Sequence, residues 1–387
     1  MQLGKTDRSK QKGFFFKKNL LPSQPDCTCL AKQHMQRIAV ILNPISGSSS
    51  RRKTKRTLIN TLRHGAQRRL YTVTSYRTRK AKHATELAAK AVTEGNDLVI
   101  CCGGDGTVNE TASALLNTNV PLAIVPTGSG NGLARHLGIP LSAAPALDIA
   151  LHGITIPMDC GTINGRNFFT TAGIGLDAEV GWLFDKLETR GMTNYVRATA
   201  QLFFQYKPNW YSINVDGKAM RVEALMITFA NASQFGNNAI IAPNANVSDG
   251  FLDLVIMRPF PKVETVRLAT MLFNKTIDRS PYITTIRFKK LHLEVDEPMH
   301  GHIDGEPFML PKSFDVAVRP SCLAMRAPQH RSSIPLLPPP AIFDPAYIVN
   351  AARTLSKNMQ QQLRSFKKRE QELRKNIARL RDRLQGK

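Results

Sequence analysis

The residues of this chain best suited to chemistry are glycines and carboxylates set beside short apolar runs. Gly103-Gly104-Asp105-Gly106-Thr107 follows the apolar run 97–102 and leads into a helical pattern over 108–116. Glycine lets backbone pass close to phosphate oxygens, and the exposed N–H groups of a helix start attract anions. Asp105 is placed to hold a metal-bound nucleotide or to stabilise the loop; the plain alternative is a glycine turn. A second loop, Pro126-Thr127-Gly128-Ser129-Gly130-Asn131-Gly132, follows the run 121–125 and precedes another helical stretch. A third, Asn43-Pro44-Ile45-Ser46-Gly47, follows the run 38–42 and leads into basic residues over 51–55. Far downstream, Asp304-Gly305-Glu306 puts two carboxylates within three residues. A carboxylate can accept the proton of an attacking alcohol. By its residues alone, however, Asp-Gly reads as an exposed hairpin turn.

These loops need elements to position them. Runs 38–42, 70–75, 97–102 and 121–125 read as strands, and 54–65, 81–94, 108–116 and 132–137 as helices. Strand–helix alternation implies a parallel sheet with crossover helices. Loops that follow the strands of such a sheet share one rim, where ligands bind. Each loop is weak evidence, and their convergence is stronger. G-x-x-x-x-G-K-[ST] is absent, no G-x-G-x-x-G follows the first strand, and no G-x-S-x-G elbow marks a hydrolase.

After Ile156 short strand-like runs dominate: 158–163, 166–172, 210–215, 219–230, 252–257, 284–288, 291–295 and 314–318. Asn164-Gly165, Asp216-Gly217 and Asp249-Gly250 supply turns, and helical breaks fall near 178–204 and 262–273. The fold class is therefore α/β plus β: an N-terminal parallel-sheet nucleotide-binding domain, a mainly antiparallel β domain and a C-terminal basic helix. The expected boundaries are a basic, disordered extension over 1–35, an α/β domain over 36–150, a β-rich domain over 151–325, a proline-rich linker over 326–349 and a basic amphipathic helix over 350–387. Met35 just before the first strand is an alternative start of the folded unit.

Composition narrows the class. The chain has 387 residues, 42% of them hydrophobic, enough for a real core, and a formal charge of +24. Residues 1–37 carry a net +6 and 350–387 a net +9, so the body between is only mildly basic. Such charge suits nucleic acid, an anionic membrane surface or a phosphorylated ligand. No run reaches the ~18 apolar residues of a membrane-spanning helix, and the cluster 14–16 is too short for a secretory signal. Six cysteines are too few for a disulfide scaffold. Cys27 and Cys29 lack the other half of a zinc site, and Cys101 and Cys102 read as buried strand residues. A reducing, cytoplasmic compartment is expected.

The motifs together resemble the diacylglycerol kinase catalytic family, with its bacterial lipid kinases, sphingosine kinases and ceramide kinases. The matching residues are Asn43-Pro44-x-Ser46-Gly47, Gly103-Gly104-Asp105-Gly106-Thr107-x-Asn109-Glu110, Pro126-Thr127-Gly128-Ser129-Gly130-Asn131, Asn244-x-x-x-x-Asp249-Gly250-x-x-Asp253 and Asp304-Gly305-Glu306. They span 37–319. The GGDGT element alone is shared with NAD kinases and phosphofructokinases; the later Asp-Gly-Glu and the long β domain favour lipid kinases.

The resemblance implies an ATP-dependent lipid kinase that phosphorylates a hydroxyl of diacylglycerol, a sphingoid base or a related lipid. ATP would lie against Asn43, Pro44, Ser46, Gly47, Thr78, Gly103, Gly104, Asp105, Gly106, Thr107, Asn109 and Ser129. Glu306 would be the catalytic base, Asp304 its orienter or the alternative base, and Asp105 would hold the phosphates with Mg²⁺. Arg135 is a candidate for offsetting charge at the rim. Asp177 and Glu179 fall in a stretch near the lipid head group, with helix capping the other reading of Asp177. A structural Mg²⁺ would take the Asp249 carboxylate and backbone carbonyls of Asn246 and Phe251. One departure is that Gly132 stands where many bacterial diacylglycerol kinases have Asp; Gly-Ser-Gly-Asn is closer in form to sphingosine kinases. The other readings are an NAD kinase-like enzyme and an inactive protein that binds membrane or nucleic acid through its basic ends.

The remaining features read more plainly. His300 and His302 alternate along a strand-like stretch and read as surface residues. Phe203, Phe204, Tyr206 and Trp210 read as core, with some lining an acyl pocket. Met359, Leu363, Phe366, Glu370, Leu373, Ile377, Leu380 and Leu384 form a heptad seam whose flanking positions carry no acid. A parallel homodimer would face like charges there. An anionic membrane surface suits these charges better, with packing on the protein's own body the alternative. No specific nucleic acid is expected.

Overall fold

The computed structural model describes residues 35–47, 58–64, 66–68, 70–185, 202 and 206–329. The first half alternates strand and helix: β1 (Gln36–Leu42), a helical stretch over 58–64, β2 (Tyr71–Arg77), α1 (His83–Thr93), β3 (Leu98–Gly103), α2 (Asp105–Leu115), β4 (Leu122–Pro126), α3 (Gly132–His136) and α4 (Ala143–His152). Strands β2, β1, β3 and β4 lie side by side and all run parallel. β3 and β4 are buried along their length, as expected of parallel strands covered on both faces. β2, at the edge, alternates instead. Leu58 and Leu62 of the helical stretch and Ala84, Ala88 and Ala91 of α1 are fully buried in the same core. Their spacing of three to four residues turns one stripe of each helix inward.

The second half is strand-rich: β5 (Ile154–Ile163), β6 (Arg166–Phe168), β7 (Thr171–Gly175), α5 (Leu176–Asp185), β8 (Asn209–Val215), β9 (Lys218–Ala224), β10 (Met226–Ala230), β11 (Leu252–Met257), α6 (Thr265–Phe273), β12 (Ile283–Phe288), β13 (Lys290–Glu294), β14 (Met299–Ile303), β15 (Glu306–Leu310) and β16 (Ser313–Ala327). β12, β11, β10, β7, β14 and β15 make a six-stranded antiparallel sheet. The other strands extend the parallel sheet to ten, through β16. β16 pairs with β13 and β5 along its first part, breaks register between Arg319 and Leu323, then pairs with β5 and meets β4 at Met325. One strand therefore belongs to both halves. The antiparallel part of the large sheet packs on the six-stranded sheet through Phe168, Tyr211, Phe229, Phe288 and Phe314. Phe229 meets Phe288 and Phe314 edge-on at 6.4 Å, a favourable aromatic geometry.

Element bounds differ from the sequence reading in instructive places. The helix after β3 begins at Asp105, so Asp105, Gly106 and Thr107 form its first turn. The run 166–172 is two strands in different sheets, parted at Phe169 and Thr170, whose N–H groups bond to Asp304. The run 219–230 is also two strands, parted at Leu225. Alternation shows which face is buried, not which sheet a residue joins. α4 was not foreseen, because apolar Ala143-Ala-Pro-Ala-Leu lacks a polar face. Residues 1–34 of the expected extension 1–35, the helix start at 54–57, Cys27, Cys29, most of the helical break 178–204 beyond 185, Phe203, Phe204, the linker 326–349 from 330 onward and the basic helix 350–387 with its heptad seam lie outside the described residues.

Candidate active site

The three glycine loops meet on one rim. Asn43 Nδ2 donates to Thr107 Oγ1 (2.9 Å), and its Oδ1 accepts the Ile45 N–H (3.0 Å) and the Ser46 N–H (3.3 Å). The Ser46 hydroxyl lies 2.8 Å from that of Thr127. The Asn43–Gly47 loop, first in chain order and so called below, is thus tied by short polar side chains to the GGDGT turn and to the 126–132 loop, called the second below. The second loop holds its own shape: Asn131, in the left-handed region, accepts the Gly128 N–H (2.9 Å) and donates to the Gly128 carbonyl (2.8 Å). Two crossings need glycine. A Cβ on Gly128 would collide with Gly104 Cα, backbone against backbone. Gly132 packs under Gln234, Phe235 and Gly236, with a would-be Cβ 3.3 Å from the Gln234 carbonyl. Thr78 is buried beside the first loop, its N–H bonded to the Leu42 carbonyl at 2.9 Å. Arg135 is committed to the second loop, donating to the Gly130 carbonyl (3.0 Å) and to Asn238 (2.9 Å). Pro44 and Gly47 lie in the first loop and Ser129 in the second.

The Asp304-Gly305-Glu306 segment is the hairpin turn that the residues suggest, with φ of 47° and 85° at Asp304 and Gly305. It is nevertheless seated on the first turn of α2. A Cβ at Gly106 would stand 2.5 Å from Glu306 Oε1, so the bare glycine lets the carboxylate rest against the nucleotide-type loop. Asp304 has a different fate. Its carboxylate accepts the N–H groups of Phe169 (3.0 Å), Thr170 (2.8 Å) and Thr171 (3.2 Å), the Thr170 hydroxyl, and Asn109 Nδ2 (2.7 Å). A carboxylate with so many donors is a clamp. Asn109 is thereby placed as a bridge between α2 and the turn, since Nδ2 also donates to the Asn167 carbonyl (3.1 Å).

Asp105 links the GGDGT turn to the second loop. Its Oδ1 accepts the Gly132 N–H at 2.7 Å, and Oδ2 faces Gly130. Burial, and then the charge of Asp304, push its carboxyl up to about 6, against the pull of backbone donors at Gly132 and Asn131.

Beyond the turn lies a second group of polar residues. Asp177 and Glu179 occupy the first turn of α5. Asp177 lies inside the helix, one residue after its start, and its Oδ1 accepts the N–H of its own neighbour Ala178 (2.8 Å), so it is not the N-cap that the sequence suggested. Its Oδ2 lies 3.0 Å from His302 Nε2 and 3.3 Å from the Thr228 hydroxyl. Glu179 Oε1 is 2.7 Å from His300 Nδ1. The histidines are therefore not simple surface residues. His302 is 5% exposed, on a strand covered on both sides by β7 and β15. Sequence reasoning missed them because their partners lie more than 120 positions away. It also missed Asp159, 1% exposed, which accepts Ser321 N–H (2.6 Å) and Gly250 N–H (2.7 Å) and fastens β5 to two turns. A carboxylate inside the apolar run 158–163 was the available signal.

The loop around Asp249 was expected to hold a structural Mg²⁺. Asp249 Oδ1 accepts the Phe251 N–H (3.1 Å), and Oδ2 pairs with the Arg287 guanidinium. Asn246 Oδ1 accepts the Ser248 N–H at 3.2 Å. Arg287 also lies 4.5 Å from the Phe251 ring centre. The Asp249 carboxylate is thus engaged by a guanidinium whose own side chain is more than half exposed. Among the described residues no group of three His, Cys, Asp or Glu side chains is arranged to hold a metal. Nearby Asp253 is held at about 6 by burial, against the charge of Arg287.

A parallel sheet bearing three phosphate-type loops, closed by an antiparallel sandwich that delivers carboxylates to them, defines a kinase. The comparisons agree. The family described as the diacylglycerol kinase catalytic domain matches 37–163, and the YegS C-terminal NAD kinase beta sandwich-like domain matches 170–327. A Bacillus subtilis relative named diacylglycerol kinase is 31% identical over 286 residues, covering 72% of this chain and 93% of its own. A Mycobacterium tuberculosis relative of the same name is 29% identical over 309 residues, covering 78% and 98%. A protein of Bacillus anthracis str. Sterne, solved as a diacylglycerol kinase, has the same fold: TM-score 0.58, 20% identity, 77% of this chain and 99% of that one. The chain belongs to the diacylglycerol kinase catalytic-domain family.

Proposed function

We propose that this protein is an ATP-dependent lipid kinase that transfers the γ-phosphoryl group of ATP to a hydroxyl of diacylglycerol or a related lipid. The observation that carries the reading is the seat of Glu306 against Gly106, which brings a carboxylate to the loop that would hold phosphates. ATP is assigned to the rim of Asn43–Gly47, Thr78, Gly103–Asn109 and Ser129. Phosphoryl transfer asks the protein mainly to position the reactants and to offset charge. Glu306 accepts the proton of the lipid hydroxyl as its oxygen attacks the γ-phosphorus and ADP leaves. Asp304, saturated with donors, orients the turn and does not act as the base. Asp105 ties the two glycine-rich loops, and its Oδ2 is the candidate for contact with the Mg²⁺ that accompanies ATP; that ion offsets phosphate charge. The half over 36–150 is assigned to nucleotide and the half over 151–325 to lipid. No described helix is long and apolar enough to cross a membrane. The basic ends, net +6 and +9, are proposed to bring the enzyme to an anionic membrane surface, at about 1 kcal/mol per basic residue near it.

The test is turnover of radiolabelled ATP with mixed micelles of candidate lipids, for the full chain and for Asp105→Ala. Labelled lipid that is lost in the variant supports the reading. No labelled lipid refutes it, and labelling of NAD instead assigns the NAD kinase-like activity. Deleting 350–387 is expected to weaken vesicle binding most at low salt while sparing ATP binding; unchanged, salt-independent binding contradicts the membrane role.

A further inference from the structure

The two histidines of β14 stand beside the carboxylates assigned to the lipid head group, and no step above uses them. His300 and His302 point to the same face by strand alternation. Asp304 follows on the same strand's turn. Each histidine meets one carboxylate of α5: His300 Nδ1 to Glu179 Oε1 at 2.7 Å, and His302 Nε2 to Asp177 Oδ2 at 3.0 Å. The arrangement is built in from below as well. Gly173 of β7 lies under the inner pair, and a Cβ there would collide with Asp177 Oδ2 and stand 2.7 Å from His302 Nε2. Trp182, one turn along α5, stacks on the His300 ring at 4.1 Å and 20°.

We propose that His300 and His302 are specificity-determining residues for the acceptor lipid: each occupies one head-group carboxylate, so the site takes an uncharged hydroxyl lipid in preference to a cationic amino lipid. The inference rests on the lipid-kinase reading and on the assignment of Asp177 and Glu179 to the head group. Two physical reasons support it. An ammonium group only donates hydrogen bonds, whereas a hydroxyl both donates and accepts. Asp177 already receives the Ala178 N–H, the Thr228 hydroxyl and His302, so an ammonium must displace an imidazole to reach it. Histidine also changes charge near neutrality. A carboxylate paired with an imidazolium has no net charge left to attract a second cation, whereas one paired with a neutral imidazole keeps its charge.

The groups around the pairs are mostly acidic. α5 contributes Asp177 and Glu179, and the hairpin end contributes Asp304 and Glu306. β7 and β10 contribute no titratable side chain. Tyr206, near both α5 carboxylates, has its hydroxyl pushed up to about 12 by burial and stays neutral. Arg166 lies over Phe308, which pairs with Gly301 on the opposite face of β14. The histidines are thus the ring side chains that β14 sets against these two carboxylates. His302 Nδ1 is buried with no hydrogen-bond partner, so the inner pair is not closed on itself.

The experiment compares a 1,2-diacylglycerol with a sphingoid base in mixed micelles, using the full chain, His300→Gln and His302→Gln, at pH 6 and pH 8. The amide of Gln keeps a donor but carries no charge. His300, about one-third exposed, tolerates the change even if His302→Gln folds poorly. The expected result is a rise of about tenfold in the amino-lipid to diacylglycerol ratio of kcat/KM at pH 6, and a smaller rise at pH 8. A second readout needs no substrate. In a Trp210→Phe background, Trp182 emission is expected to change in His300→Gln, because the ring it stacks on is gone. An unchanged ratio at both pH values, or an amino lipid refused by every variant while diacylglycerol is turned over, overturns the inference and leaves the kinase reading intact. No turnover of any lipid overturns both.

Discussion

The glycine-loop rim and the α5–β14 end, proposed to face the lipid head group, hold their carboxylates in opposite ways. At the rim, Asp304 and Asp105 are fastened mainly by backbone N–H groups, which cannot titrate or swing away. At the proposed head-group end, Asp177 and Glu179 meet imidazole side chains instead. Backbone donors fix a geometry, whereas histidine partners leave charge adjustable. The first suits the phosphate-placing role proposed for the rim, and the second suits the lipid-selecting role proposed for the other end.

The largest expected effect breaks the rim's chemistry without disturbing its shape. Glu306→Gln should lower lipid turnover by roughly 10²–10⁴-fold, with ATP affinity measured by calorimetry nearly unchanged. Asp304→Ala should show the reverse balance. It strands the N–H groups of Phe169, Thr170 and Thr171 together with Asn109, and stability in urea should fall by about 2–4 kcal/mol, as unpaired buried groups cost 1–3 kcal/mol each. If Asp304→Ala keeps full stability, the clamp reading is wrong.

Gly128→Ala comes next. The added methyl meets the Gly104 backbone, which has no side chain to swing aside. ATP binding should weaken by about tenfold or more, with a stability loss of about 1–3 kcal/mol from overpacking. Gly106→Ala makes a useful contrast, because there the methyl meets the flexible end of Glu306. It should lower turnover while leaving the melting temperature close to that of the wild type.

The smallest effect sharpens the electrostatic side of the contrast. Burial raises the Asp105 carboxyl from 3.8 to about 6 in the folded chain. The folded state then binds the proton more tightly than the unfolded state. The stability this confers is full below about pH 4 and is lost as pH rises through about 6. Asp105→Asn removes that dependence. Between pH 4 and 7 the variant should gain on the wild type by on the order of 2 kcal/mol, read from urea midpoints at several pH values. A constant difference across that range would show that Asp105 does not titrate there.

Much of the rim was legible in the sequence because its parts are local. Asn43-Pro44-x-Ser46-Gly47, GGDGT and Gly128-Ser129-Gly130-Asn131 each follow one strand, and parallel order alone brings their ends together. The same locality made Asp-Gly-Glu legible as a turn. What lay hidden was long-range pairing. Nothing near His302 names Asp177, nothing near Asp159 names Ser321, and nothing in 166–172 shows that the chain changes sheets at Phe169. Arg287 was hidden for the same reason, although it engages the Asp249 carboxylate.

β16 has a consequence for how the molecule is made. The nucleotide half is translated first, yet the strand that joins β4 to the antiparallel strands comes from residues near 325. Emergence of the first 163 residues from a ribosome leaves the edge of β4 open, with Leu122 awaiting Met325. Domains generally fold in order of synthesis, but this one finishes its first sheet with the final strand of the described chain. A truncated product that ends before β16 would therefore carry every loop of the rim and still lack the strand that closes it. Completion of the first sheet therefore waits on residues about two hundred positions after β4.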